Sequence, residues 1–131
     1  MNQTVSSIVE SALNGDTGAV ARLEAVSHEL RQDDGEPSLL LQASAVSRVL
    51  RALDQGEVDP EDVQKWATFV RTGYVTGSSI KVRPLRIDYE AEFEDPMVEA
   101  IARMGEIGDS VDGVLERPEI KKLMNALIEA V

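Results

Sequence analysis

Residues 56–75, GEVDPEDVQKWATFVRTGYV, contain signals for the start, the buried face and the end of one helix. Asp59 is a favourable N-cap residue, and Pro60 suits the first helical position because its missing N–H costs no hydrogen bond there. Gly73 suits the left-handed conformation that ends many helices. The apolar residues recur at helical spacing: Val63, Trp66, Ala67 and Val70. We therefore expect a helix from Pro60 to Gly73 with the single tryptophan in the core.

Similar patterns predict further helices on both sides of this one. We expect a helix from 37 to 55 to be central, because apolar side chains cover most of its circumference, and to form an antiparallel pair with the Trp66 helix. A chain of 131 residues is the usual size of one domain. The sequence thus predicts an all-α fold, a single-domain bundle of five or six helices spanning 1–131. The other predicted helices cover 4–13, 16–32, and stretches that begin at Asp95 and Pro118.

The segment 73–90 lacks helical periodicity and contains Gly77 and two serines. We expect a loop or a short extended segment, and Pro84 restricts any strand there to the edge of a sheet. The three bases Lys81, Arg83 and Arg86 either contact an external anion or stay near the chain's own acids. We favour the internal interpretation, because the chain is strongly acidic.

Helical positions also predict which side chains face solvent. Phe69 lies off the main stripe of its helix, so we expect it to be partly exposed. We expect Asp95 to cap the fifth helix, with Val98 facing inward beside Met97, Ile101 and Met104. The side chains expected to face outward are His28, Glu99, Arg103 and Glu106.

The formal charge of −11 is unevenly distributed along the chain. Residues 65–87 carry five bases and no acid, whereas residues 88–116 carry ten acids and one base. A net negative charge of this size argues against nucleic-acid binding, which requires many lysines and arginines. Cysteine is absent, which excludes a disulfide framework. The sequence shows neither a membrane span nor a signal-peptide pattern, so we expect a cytoplasmic protein.

The acids of 88–116 form the candidate binding site. They could dock a basic protein partner, or they could be a solvated face that keeps the protein soluble. If the start of this stretch is extended, Glu90, Glu92 and Glu94 project to one side. The candidate partner-binding residues are Asp88, Glu90, Glu92, Glu94, Glu99, Glu106, Asp109 and Asp112.

The sequence offers no recognisable catalytic or metal-binding pattern. A calcium loop centred on Gly113 would place Gly108 where an aspartate is required. His28 is the single histidine, so no two-histidine metal site exists. No nucleophile elbow and no complete phosphate-binding loop is present. We therefore expect no catalytic residues, metal or cofactor, and a binding protein instead of an enzyme; a carboxylate-based enzyme is the least favoured alternative.

The run from Leu53 to Ala67, LDQGEVDPEDVQKWA, resembles a pattern in small acidic bacterial proteins of immunity or uncharacterised type. In that pattern, a helix ends in glycine, an acidic cap follows, and Trp-Ala comes one and a half turns later. The resemblance covers about residues 50–128. It implies a helical protein that neutralises a toxin by binding it, and the acidic surface makes a basic nuclease-like toxin the first hypothesis for its target. The alternative is a regulatory or scaffold module that binds another protein through a helix groove; the oligomeric state is left open.

Overall fold

The computed structural model describes residues 3–30, 32, 35–75, 84–107 and 115–129. Within these ranges the chain forms six α-helices around one apolar core, which confirms the predicted all-α, single-domain fold. The helices are α1 (Gln3–Leu13), α2 (Ala19–Ala25), α3 (Ala43–Asp54), α4 (Pro60–Thr72), α5 (Glu94–Gly105) and α6 (Arg117–Glu129). Two short strands, β1 (Leu39–Leu41) and β2 (Ile87–Tyr89), pair in parallel, and 3-10 turns cover Ser27–Glu29 and Ala91–Phe93.

Helix α4 begins and ends where the sequence predicts. Asp59 occupies the N-cap position, although its side chain makes no capping hydrogen bond. Gly73 follows the last turn with φ of 78°, in the left-handed region. Trp66 is fully buried, and its indole N–H donates to the carbonyl of Ala12 at 2.7 Å. The expectation of a partly exposed Phe69 is wrong, because neighbouring helices cover α4 on more than one side and bury this ring completely.

Three helix pairs make most of the contacts around the core, and α1 with α2 is one of them. Helix α4 packs mainly on α5, and α3 packs mainly on α6, whereas the expected pair of α3 with α4 is a minor contact. Helix α3 is central to the core, since Val46, Val49 and Leu50 are completely buried. Arg117 at the start of α6 pairs with Asp54 at the end of α3 at 3.0 Å. Helices α3 and α6 therefore run antiparallel.

The prediction of a helix beginning at 37 is wrong, because residues 39–41 form strand β1. The N–H of Leu39 donates to the carbonyl of Arg86 at 2.7 Å, and the N–H of Glu90 donates to the carbonyl of Leu41 at 3.0 Å. This strand pairing satisfies backbone N–H and C=O groups that would otherwise need hydrogen bonds within a helix. Leu40 faces solvent with 52% of its surface exposed.

Two other helix boundaries differ from the predictions. Helix α2 ends at Ala25, not near 32, because Val26 leaves the helical conformation and a 3-10 turn follows. Helix α5 begins at Glu94, so Asp95 lies in the first turn and is not the cap. Val98 lies about 100° around α5 from Met97, which is buried, and is itself 48% exposed, so the inward prediction for Val98 is wrong.

Gly73 also forms a close backbone contact beyond α4. Its carbonyl accepts a hydrogen bond from the N–H of Leu85 at 3.1 Å, and a Cβ on Gly73 would lie 2.4 Å from the carbonyl oxygen of Leu85.

Arg86 is held internally: its N–H donates to Gln32 Oε1 at 2.6 Å, and its guanidinium donates to the carbonyl of Glu36 at 2.5 Å. Lys81 and Arg83 lie outside the described residues.

Candidate partner-binding surface

Helix α5 has one buried face and one acidic face. Met97, Ala100, Ile101 and Met104 enter the core. The opposite side of the helix combines three acids with two small apolar side chains, all of them exposed: Glu94, Asp95, Val98, Glu99 and Ala102. Successive residues are about 100° apart around a helix, so these five share one face. We call them the acidic face of α5.

The carboxylates of this face make no ion pair or hydrogen bond with any described side chain. The described arginines near α5 bind elsewhere: Arg103 pairs with Glu106 and Glu119, and Arg117 pairs with Asp54. Three neighbouring uncompensated carboxylates repel one another and produce a strong negative field. An approaching cationic surface would relieve that repulsion.

Two further candidate acids lie just before α5. Asp88 is exposed on β2, and Glu92 is exposed on the 3-10 turn that joins β2 to α5. The turn also overturns one expectation. Since residues 91–93 form a 3-10 turn and Glu94 begins a helix, the stretch is not extended, and Glu90, Glu92 and Glu94 do not alternate along a strand.

Glu90 has a structural task. Its Oε1 accepts a hydrogen bond from the backbone N–H of Ala43, the first residue of α3, at 3.0 Å. A carboxylate at this position satisfies an N–H that has no partner within the helix and complements the positive end of the helix dipole. The parallel pairing of β1 and β2 brings the two residues together, since α3 follows β1 and Glu90 follows β2. Glu90 is therefore half-buried and committed to the fold.

Glu106 is also engaged within the molecule. Arg103 donates to both Glu106 and Glu119, and its second terminal nitrogen reaches Glu119 Oε1 at 2.9 Å. This hydrogen bonding, more than the charge of Arg103, lowers the pKa of Glu119 despite its partial burial. The same carboxylates raise the pKa of Arg103. Arg103, which we expected to face outward, therefore links α5 to α6 through Glu119.

The predicted site residues therefore fall into three groups. Glu94 and Glu99 lie on the acidic face of α5, with Asp88 and Glu92 exposed just before it. Glu90 and Glu106 are bound by the chain itself, and Asp109 and Asp112 lie outside the described residues. Sequence reasoning missed the apolar centre of the face, Val98 and Ala102. Helical spacing alone gave no signal for it, because Val98 fits the edge of the buried stripe as well as the exposed face.

Other chemistry finds no support in the described part of the chain. No three acidic or histidine side chains converge there on a position that could hold a metal ion. None of the helices described has the length and apolarity that a bilayer crossing requires. Comparison with protein-family models, curated proteins and solved structures finds no match. The geometry of the described residues is therefore the basis for assigning a function to this chain.

Proposed function

We propose that this protein is a binding module whose acidic surface docks a basic protein partner. The observation that carries the proposal is the acidic face of α5, where the carboxylates of Glu94, Asp95 and Glu99 share one exposed face with Val98 and have no cationic partner among the described residues. An apolar centre inside a charged rim is the common anatomy of a protein interface. Asp88 and Glu92 extend the same charge beside it.

The more specific form of the proposal is a toxin-neutralising protein of immunity type. A nuclease-like partner carries a basic cleft that attracts phosphates, and a surface of closely spaced carboxylates presents charge of the same sign. Occupying that cleft would block access of the nucleic acid without any catalytic step or cofactor. In this proposal the protein acts in the cytoplasm. The resemblance of Leu53–Ala67 to immunity-type proteins supports the same interpretation.

The test begins with affinity capture at low salt and identification of the bound protein. The association rate of the purified pair is then measured at increasing salt for the wild type and for a triple variant, Glu92→Lys, Glu94→Lys and Glu99→Lys. Electrostatic docking acts mainly on the association rate. We expect that rate to fall steeply as the screening length drops below about 10 Å, and to fall at least about tenfold in the triple variant.

A matched control reverses three exposed acids on other elements: Glu10, Glu57 and Glu61. It changes the net charge by the same amount but leaves α5 unaltered. We expect its association rate to stay near the wild-type value. If both triple variants slow association equally, overall charge matters and the acidic face of α5 does not. If neither salt nor the α5 variant changes the rate, the electrostatic mechanism is wrong.

A further inference from the structure

A groove of about 600 Å³ runs between α3 and α6 and reaches the 3-10 turn that precedes α5. Its apolar wall consists of Phe93, Met124, Leu127 and Ile128. Ile128 is 68% exposed, the most exposed large apolar side chain of the described residues. Apolar surface of this kind, gathered in a concave site, is typical of ligand-binding positions. The groove therefore has the composition of a binding site, and its exposed residue Ile128 is not part of the buried core.

The opposite wall of the groove carries positive charge. Arg48 and Arg51 lie one turn apart on the exposed side of α3 and both line the groove. Arg48 donates to the backbone carbonyl of Asn14, which keeps its guanidinium in place without neutralising its charge. Arg51 makes no hydrogen bond or ion pair with the described residues. In a chain of net charge −11, two arginines without carboxylate partners mark a local preference for an anion.

The charged and apolar ends of the groove are separated along α3. Because α3 and α6 are antiparallel, Ile128 lies near Ala43, at the start of α3. Phe93 lies at the same end, since Glu90, three residues before it, is hydrogen-bonded to Ala43. Arg51 lies at the other end of the groove. Ala43 and Arg51 are about 12 Å apart along the helix axis, from the rise of 1.5 Å per residue. The carboxylate of Glu90 lies at the Ala43 end and is occupied by the N–H of Ala43. A ligand with its anionic group at Arg51 and its apolar body toward Phe93 thus matches both ends.

The size of the groove favours a small molecule. Its volume lies within the range of roughly 300–1,000 Å³ that is common for small-molecule sites. A carboxylate head fits the planar, two-pronged donor geometry of a guanidinium. The flexible side chain of Met124 suits an apolar body of variable shape.

We propose that the groove between α3 and α6 binds an amphiphilic carboxylate, with its head on Arg51 and Arg48 and its apolar body against Phe93, Met124 and Ile128. This inference is independent of the proposed partner on α5. Phe93 is adjacent in sequence to the acids before and at the start of α5, but the variants that test the groove lie on α3 and α6, so either proposal can fail without the other.

The test titrates the whole chain with laurate and, separately, with dodecyltrimethylammonium, a cation with a tail of the same length. Both stay below their micelle concentrations. Calorimetry gives the affinity, and backbone amide chemical shifts map the site. We expect saturable one-to-one binding of laurate with shifts centred on residues 43–51 and 124–128. The cation should bind about tenfold more weakly, the loss expected when a charge-assisted contact is absent.

Two pairs of variants separate specific binding from adsorption of a detergent-like molecule. Arg51→Gln should weaken laurate binding about tenfold, whereas Lys121→Gln, the same charge change on the exposed side of α6, should leave it unaltered. Ile128→Ser should weaken binding of laurate, whereas Leu40→Ser, at another exposed apolar position outside the lining of the groove, should not. All four positions are at the surface, so circular dichroism should show unchanged helix content.

Several results would overturn the proposal. Absence of saturable laurate binding would do so, as would equal losses in Arg51→Gln and Lys121→Gln, or equal affinity for the two head groups. Sedimentation of the unliganded protein addresses a different occupant: a dimer that Ile128→Ser converts to monomers would mean that a second copy covers the groove. Tighter binding of an acidic amphipathic peptide than of laurate, with the same shifts, would assign the groove to a protein segment.

Discussion

Helix α4 and strand β1 both place buried apolar side chains in the core, but different interactions specify their conformations. Helix α4 is bounded by Pro60 at its start and by Gly73 at its end, so its own residues specify it. Strand β1 contains three leucines without such signals, and its conformation depends on hydrogen bonds to β2. The difference shows that the boundaries of α4 are specified locally, whereas the start of α3 depends on residues far along the sequence.

The largest expected effect lies in α4. Trp66→Ala removes a fully buried side chain and leaves a cavity, and we expect a loss of about 3–5 kcal/mol in the free energy of unfolding, measured by urea denaturation. Leu40→Ala in β1 removes a half-exposed side chain and should cost less than about 1 kcal/mol. Comparable losses at the two positions would mean that β1 is as essential to the core as α4.

The second prediction concerns the end of α4. Gly73 and Gly56 both have positive φ, but only Gly73 has backbone atoms where a Cβ would lie. Gly56→Ala should cost about 1–2 kcal/mol for the left-handed conformation alone. Gly73→Ala should cost at least about 1 kcal/mol more, because the added methyl group must displace Leu85. Equal melting-temperature shifts in the two variants would contradict the close contact between residues 73 and 85.

The third prediction compares a local cap with a distant one. Glu90→Gln keeps the shape but removes the charge that accepts the N–H of Ala43, and Glu90→Ala removes the bond. We expect Glu90→Ala to cost about 0.5–2 kcal/mol, with Glu90→Gln between it and the wild type. Asp59→Ala should cost only a few tenths of a kcal/mol, since Asp59 makes no side-chain capping bond. A larger loss at Asp59 than at Glu90, again by urea denaturation, would reverse this order.

The smallest expected effect is a pH dependence between α5 and α6. Arg103 lowers the pKa of Glu119 in the folded protein, so the pair stabilises the fold above the unfolded pKa of about 4.5 and loses that contribution as the pH falls through the folded value. Partly exposed pairs contribute about 0.2–1 kcal/mol. The unfolding free energy of the wild type should therefore fall more steeply than that of Glu119→Gln below pH 4.5. Parallel pH profiles for the two proteins would show that the pair contributes nothing.

The sequence predicts most helices because their signals are local. Apolar spacing places Trp66, Leu50 and Ile101 in the core, and the structure confirms each of them. Strand β1 could not be predicted, since three leucines suit a helix as well as a strand and the decisive partner is β2. The sequence predicted which stretch of the chain is acidic, but not which of its carboxylates form an exposed surface. Charge counting does not distinguish Glu99, which is exposed without a partner, from Glu90, which is bound through a tertiary contact, or from Glu106, which pairs with Arg103 three residues earlier.

The contact between Glu90 and Ala43 also has a consequence for the order of folding. It joins residues 47 positions apart in the sequence, and closing a loop of that length is entropically costly. Helix α4 contains its own start and end signals, so its formation does not require that loop to close first. The first turn of α3 should therefore consolidate after the transition state. Weakening the Glu90 contact would then accelerate unfolding and leave the folding rate nearly unchanged, so this contact controls how long the native protein persists once formed.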